Sequence, residues 1–372
     1  MKKYLLIDGN NIAARSAFSN KDLTNKDGIP TGVHYGVFNS LISLKRKFPD
    51  YNMLMAWDGK SARRMRESKE GVDKGIIPSL YKANRKKDEL PKPLLDFYSQ
   101  SDYLKRGIGQ LGIPQIFMND FEADDILASY CKMLKNEHEV VVVTSDKDYF
   151  ALLDKNVSIW DGMKQLTTTL DDFKQIWGIE PKQWTDFGAL MGDVGDNIFG
   201  VPSVGEKTAI KELIAHGSYQ NVIQHYEKEY NHFRKTYPDL NINESNREKF
   251  EKLLNAETEP KDNIESKDNI ENKENVEEKK RKKKFPGIYW NIPYSGVAYE
   301  FEFGKIKMPK VVLMMLMFQE RVKLAYSLKK IDEDISSLPA IVCQEKNRTR
   351  LLEFFEIYDI VSLITGIDEF FY

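Results

Sequence analysis

Three uninterrupted apolar runs in this chain end in aspartate: Tyr4-Leu5-Leu6-Ile7-Asp8, Met53-Leu54-Met55-Ala56-Trp57-Asp58 and Val140-Val141-Val142-Val143-Thr144-Ser145-Asp146. Apolar runs without alternation suit strands covered on both faces of a parallel sheet. Between them the apolar spacing turns helical, predicting helices near 35–47, 94–111, 123–134 and 171–177. Strands alternating with helices over residues 1–180 argue for βαβ units, hence an α/β fold with a mostly parallel central sheet flanked by helices. From 181 the pattern is helical. It predicts a helix over 182–191, a turn through Gly200-Val201-Pro202-Ser203-Val204-Gly205, and a second helix over 206–216 that stops at Gly217. Such helix–hairpin–helix units offer backbone amides and a helix N-terminus to phosphate, and Lys207 and Lys211 add charge.

In open α/β sheets the ligand site lies outside the carboxyl ends of the strands. The three runs therefore deliver Asp8, Asp58 and Asp146 to one edge, where Glu122, Asp124 and Asp125 open a helix. Asp148 follows Asp146 by two residues, and Asp193 and Asp196 stand before the glycine turn. One aspartate after a strand is ordinarily a turn former or a helix cap. So many together repel, and are tolerable only around positive charge; all-oxygen ligands suit hard divalent cations, Mg²⁺ or Mn²⁺.

The formal net charge of −2 excludes a uniformly basic nucleic-acid binder. The charge is unevenly spread, however. Residues 60–92 carry Arg63, Arg64, Arg66, Lys69, Lys74, Lys82, Arg85, Lys86 and Lys87, broken by Pro78 and Pro91. An excursion of that length between strand and helix patterns is more often functional than idle, and a basic segment beside an acidic pocket suits a phosphate substrate. The two cysteines, Cys131 and Cys343, make no disulfide framework. With no leader or membrane-length apolar run visible, a soluble, cytoplasmic protein is expected. Residues 255–284 are low in complexity, with an imperfect six-residue repeat closing on Lys279-Lys280-Arg281-Lys282-Lys283-Lys284, and predict a flexible insertion. Aromatics return over 285–310, and amphipathic segments follow at 311–328 and 348–364. The expected layout is an α/β core over 1–180 that includes the basic excursion, at about 60–105. A helix–hairpin–helix module at 181–254, the insertion, and a helical part at 285–372 that completes the core follow it.

Together the motifs Ile7-Asp8-Gly9-Asn10-Asn11, Tyr81-Lys82-Ala83-Asn84-Arg85, Glu122-Ala123-Asp124-Asp125, Asp146-Lys147-Asp148 and Gly192-Asp193…Asp196-Asn197…Gly200-Val201-Pro202…Gly205-Glu206-Lys207 resemble the 5′-nuclease family. That family includes phage 5′-exonucleases, flap endonucleases and the amino-terminal nuclease domain of bacterial DNA polymerase I. The resemblance covers 1–225 and resumes near 321–325 and 351–355; with no polymerase domain in the chain, a stand-alone nuclease is expected. It implies one metal cluster of Asp8, Asp58, Glu122 and Asp124 and a second of Asp125, Asp146, Asp148, Asp193 and Asp196. It also implies catalytic contacts from Lys82 and Arg85 to the scissile phosphate, and stacking of Tyr81 on a terminal base. Duplex binding falls to the Gly200, Val201, Ser203, Gly205, Lys207 and Lys211 region, with a K⁺ at the turn. Two departures stand out: Ser203 replaces a glycine, which is strained if positive φ is required there, and Ser145 stands where glycine is frequent.

The implied activity is two-metal-ion hydrolysis of DNA, and of RNA primers paired to it, from 5′ ends or at 5′-flap junctions, in replication or repair. The alternative from another class is a catalytically silent, structure-specific DNA-binding protein of the same fold. A monomer without membrane attachment is expected.

Overall fold

The computed structural model describes residues 1–85, 89–236, 300–303 and 306–372. The apolar runs form β1 (Lys3–Asp8), β2 (Asn52–Trp57) and, after the short β3 (Gln115–Phe117), β4 (Glu139–Val143). With β5 (Val157–Asp161) and β6 (Leu166–Thr168) they make one six-stranded sheet of order β3-β2-β1-β4-β5-β6, parallel except for β6. Leu5 lies opposite both Met53 and Val141, so the carboxyl ends of the three central strands fall level. Successive side chains point to opposite faces. Leu6, Leu54, Val140 and Val142 accordingly feed one core, while Leu5, Met53, Val141 and Val143 feed the other.

The first core is closed by α5 (Ala123–Leu134) through Ile126, Leu127 and Tyr130, and by the helices that follow residue 180. The second is closed by α1 (Gly9–Ser19), α2 (Gly32–Lys47) and α4 (Lys92–Gly109). The predicted α5 agrees end for end, whereas α2 and α4 each begin earlier than apolar spacing suggested. The basic excursion is not a plain solvated loop at its start: α3 (Ala62–Asp73) forms there, capped by the Ser61 side chain, with Arg64, Ser68 and Gly71 turned inward.

The helical region reads largely as expected. After α6 (Leu170–Trp177) and a 3₁₀ turn at Pro181–Gln183 come α7 (Trp184–Met191), α8 (Glu206–His216) and α9 (Tyr219–Thr236). Gly217 stops α8 at φ 85°, a conformation costly for any residue with a Cβ. Between α7 and α8 a small hairpin pairs Gly192–Asp193 with Ile198–Phe199.

The last part of the chain belongs to both cores. The expected 311–328 segment is two helices, Lys310–Met317 and Gln319–Lys329, split at Phe318; Val322, Ala325 and Leu328 enter the first core. An antiparallel pair, Glu300–Phe303 with Ile306–Pro309, precedes them, so this part is not purely helical. The helix Arg348–Ile357 places Leu351 and Phe355 in the second core, and the chain then turns rather than continuing to 364. The flexible insertion called at 255–284 and most of the aromatic-rich piece lie outside the described residues. Among the described residues no helix is long and apolar enough to cross a membrane. If the C-terminal helix is part of the core, Phe355→Ala should cost about 3–5 kcal/mol, as such core truncations do, in a single denaturant transition; a loss below about 1 kcal/mol would show a detachable appendage.

Candidate functional site

The carboxyl edge of the sheet is stitched by side chains before any ion is considered. Asp8 ends β1 and caps α1: Oδ1 accepts the Asn11 amide at 2.9 Å, and Oδ2 accepts the Thr144 and Tyr149 hydroxyls, each at 3.3 Å. The next residue must be small, because a β-carbon on Gly9 would lie 2.8 Å from the Ala56 carbonyl. Asn10 accepts the Asp58 amide at 3.0 Å, and Asp58 in turn accepts the Ala123 amide at 2.9 Å. Asn11 accepts both the amide and the hydroxyl of Ser145, at 3.2 and 3.0 Å. The serine found where glycine is frequent thus ties the segment after β4 to the first turn of α1. Asp146 caps the 3₁₀ turn that carries Asp148.

Arg64 lies beneath this edge, only 1% exposed. Its Nη1 donates to Glu122 at 3.1 Å and to Asp125 at 3.0 Å, and its Nη2 to Asp124 at 3.2 Å and Asp125 at 2.8 Å. Burial alone would weaken the guanidinium's hold on its proton, but Asp124 and Asp125 outweigh it and raise the pKa well above the usual arginine value. Asp125 is fully buried; besides Arg64 it accepts the Asp332 amide at 2.8 Å and the Glu122 amide at 3.2 Å. Its bonded neighbours are Arg64 and these two amides, whereas the resemblance implied a place with Asp146, Asp148, Asp193 and Asp196. Hydrogen bonds from the protein take up both of its oxygens.

The segment 80–85 is clamped onto the loop 193–197. The Lys82 amide donates to the Asp196 carbonyl at 2.9 Å, Asn84 to the Val194 carbonyl at 2.8 Å, and Asn197 to the Leu80 carbonyl at 2.6 Å. Lys82 and Asn197 both hold positive φ, 55° and 56°, in doing so. Lys82 Nζ then lies 2.7 Å from Glu122, and Arg85 lies 2.5 Å from Asp196. The Tyr81 hydroxyl lies 3.0 Å from Glu122 and 3.2 Å from Asp196, within reach to donate its one proton to either. With 5% of Tyr81 exposed, its ring packs into the first core, whereas the resemblance implied stacking on a terminal base.

Asp148, Asp193 and Asp196 each bring an oxygen into a group in which all lie within 4.8 Å of one another. Three carboxylate oxygens at that spacing fit a hard divalent cation. Lys329, from the helix Gln319–Lys329, reaches the same group. Farther along, Ser203 does adopt positive φ, 67°, so the serine at the glycine position carries strain. Val201 is buried, Gly205 caps α8, and Lys207 and Lys211 are exposed on that helix.

Two family models match in tandem: the 5′-3′ exonuclease N-terminal resolvase-like domain over residues 3–178, and the 5′-3′ exonuclease C-terminal SAM fold over 179–277. The 5′-3′ exonuclease of Buchnera aphidicola subsp. Baizongia pistaciae is 33% identical over 226 residues, which cover 60% of this chain and 70% of that protein. The chain belongs to the 5′-3′ exonuclease family. Another relative, the thermostable DNA polymerase I of Thermus thermophilus, is 34% identical over 227 residues. That match covers 61% of this chain but only 25% of the polymerase, so the chain spans about a quarter of such relatives. Among solved structures, the catalytic core of Rad2 in complex with DNA substrate aligns with a TM-score of 0.52 at 14% identity, over 98% of this chain and 93% of that one. This last likeness is one of fold alone.

Family membership bears out the resemblance carried by the motifs. Two cations escaped the sequence reading. Arg64 sat unmarked in a basic run, although Arg64, Ser68 and Gly71 fall on one helix face. Lys329 lies on the same helical stripe as Val322 and Ala325, the signal that would have found it.

Charge crowding leaves a mark on titration. Burial, then Asp58, pushes Asp8 up to about 8; burial, then Asp124, pushes Asp125 up to about 7 against the pull of Arg64. Asp148 rises to about 7, by burial and by Asp146, despite Lys329. Their folded pKa values lie above those of the unfolded chain, so their contribution to stability is present below about pH 4 and is lost as pH rises through 7–8. The melting temperature in EDTA should therefore fall between pH 5.5 and 8.5, and Mg²⁺ should restore more of it at the upper end; a flat profile in EDTA would contradict this charge balance.

Proposed function

We propose that this chain hydrolyses phosphodiester bonds of DNA, and of RNA primers paired to DNA, from 5′ ends or at 5′-flap junctions, in replication or repair. The observation that carries the reading is the convergence of Asp8, Asp58, Glu122, Asp124, Asp146, Asp148, Asp193 and Asp196 on one sheet edge, with Lys82 and Arg85 at its rim. Asp8, Asp58, Glu122 and Asp124 would hold one Mg²⁺ or Mn²⁺ and Asp146, Asp148, Asp193 and Asp196 a second, while Asp125 holds Arg64 in place. Bound there, such ions supply Lewis-acid charge that acidifies water and offsets negative charge on the phosphoryl group.

The chain's own groups do the rest. Lys82 and Arg85 exchange their carboxylate partners for phosphate oxygens and neutralise charge as it develops. The Asn10, Asn11 and Ser145 bonds hold the carboxylates in register while the backbone of the substrate is seated. The exposed Lys207 and Lys211, and the α8 N-terminus beside Ser203 and Gly205, grip the duplex through phosphates. The Gly200–Gly205 turn would hold a K⁺. The protein acts in the cytoplasm as a monomer.

One observation favours the silent DNA-binding reading: Arg64, Lys82, Arg85 and Lys329 already pair with the acids. A cleavage assay separates the two. A 5′-labelled flap duplex, a blunt duplex and free single strand are incubated with Mg²⁺ and with EDTA. Mg²⁺-dependent products from the flap junction or the 5′ end are expected, and binding without products in either Mg²⁺ or Mn²⁺ would replace the nuclease reading with the silent one. Asp146→Asn should abolish cleavage while sparing flap binding. Lys82→Ala should lower the single-turnover rate by roughly 10²–10³, the scale for losing one electrostatic donor; an unchanged rate would remove Lys82 from the mechanism.

A further inference from the structure

Lys329 is the last residue of its helix and is 8% exposed. Its Nζ lies 2.5 Å from both oxygens of Asp148 and 2.8 Å from Asp193 Oδ2. The stem reaches them across Gly188 of α7: a β-carbon on Gly188 would come within 2.9 Å of Lys329 Cε and 3.5 Å of Cγ. The groove exists because that residue has no side chain. The lysine is thus seated by packing as well as by charge.

An ammonium bonded to these oxygens and a Mg²⁺ bound at about 2.0–2.1 Å need the same place among the same oxygens. Two cations cannot share it, since each would lose its ligands to the other and repel it. We propose that Lys329 is an internal counter-ion occupying the Asp148–Asp193 half of the metal centre, so that a divalent ion enters this half only by displacing it. The inference rests on the metal reading of the carboxylates given above. Asp148 and Asp193 are satisfied in the ion-free protein, which weakens divalent binding in this half. Displacement is easiest when the ammonium has another anion to meet. A substrate phosphate arriving at the Lys82–Arg85 rim supplies one, so phosphate binding and loading of this half favour each other reciprocally.

The test is a Mn²⁺ titration of the EDTA-stripped full chain without nucleic acid, following free Mn²⁺ by electron paramagnetic resonance, with melting in EDTA measured in parallel. Wild type should show a tight and a weak class of site. In Lys329→Met the weak class should tighten at least tenfold, and melting in EDTA should fall as Asp148 and Asp193 lose their partner. Gly188→Ala, which pushes on the stem and changes no charge, should shift both readouts in the same direction by less. If folded variants bind Mn²⁺ as wild type does, the proposal fails while the metal reading stands. If no protein, wild type included, binds Mn²⁺, both fail. Should Lys329→Met not fold, Gly188→Ala decides: tighter binding supports the proposal, and unchanged or weaker binding overturns it.

Discussion

Like charge gathered at one edge of a sheet is the constraint around which this molecule is organised. A buried carboxylate without a partner costs several kcal/mol, and the level carboxyl ends of β1, β2 and β4 leave no way to keep these side chains apart. The answer is a set of internal cations at fixed positions. Arg64 is the deepest of them. Its planar fork spans Glu122, Asp124 and Asp125 at once, a geometry that a lysine cannot reproduce. Lys82 and Arg85 answer Glu122 and Asp196 at the rim, where solvent and a polyanion can compete for them.

That arrangement explains the locking of the basic segment to the end of the chain. Arg63 donates to the Ser327 carbonyl at 2.5 Å and to Asp332 at 2.9 Å, and the Ser327 hydroxyl donates to Glu67 at 2.7 Å. Arg64 Nε donates to the Leu328 carbonyl at 3.0 Å. The start of the excursion is therefore a rigid shelf that fixes where the acids sit. Beyond α3, Lys82 and Arg85 reach Glu122 and Asp196 at the rim.

The strands and the acidic edge were legible because both are local signals. An apolar run ending in Asp8 or Asp58 names its own strand and its own carboxylate, and Gly217 marks a helix end. Cross-chain pairing leaves no such trace. Asp124 and Asp125 are neighbours in sequence and both bond Arg64, yet Asp124 stays partly exposed while Asp125 is sealed beneath it, also holding the Asp332 amide. Nothing in Glu122-Ala123-Asp124-Asp125 distinguishes them, and only helical phase together with a partner far along the chain does. Tyr81 is ambiguous for a similar reason: an aromatic beside Lys82 suits stacking as well as it suits a hydroxyl set between Glu122 and Asp196. The break at Phe318 and the short β3 belong to tertiary packing, which overrides periodicity in short segments.

The ties to residues 327–332 also bear on the order of assembly. Arg64 meets the Leu328 carbonyl across 264 positions, the Asp332 amide meets Asp125 across 207, and Lys329 meets Asp148 across 181. Loops of that length close late, because their entropy must be lost before the contact rewards it. A chain growing from its N-terminus can lay down β1, β2 and β4 and gather their acids long before Leu328, Lys329 and Asp332 have been made. Until then the edge is over-charged and unsupported. Maturation of the site is thereby deferred until residues 328–332 have been made, and a chain stopped before them would hold the acids without the frame that makes them a centre.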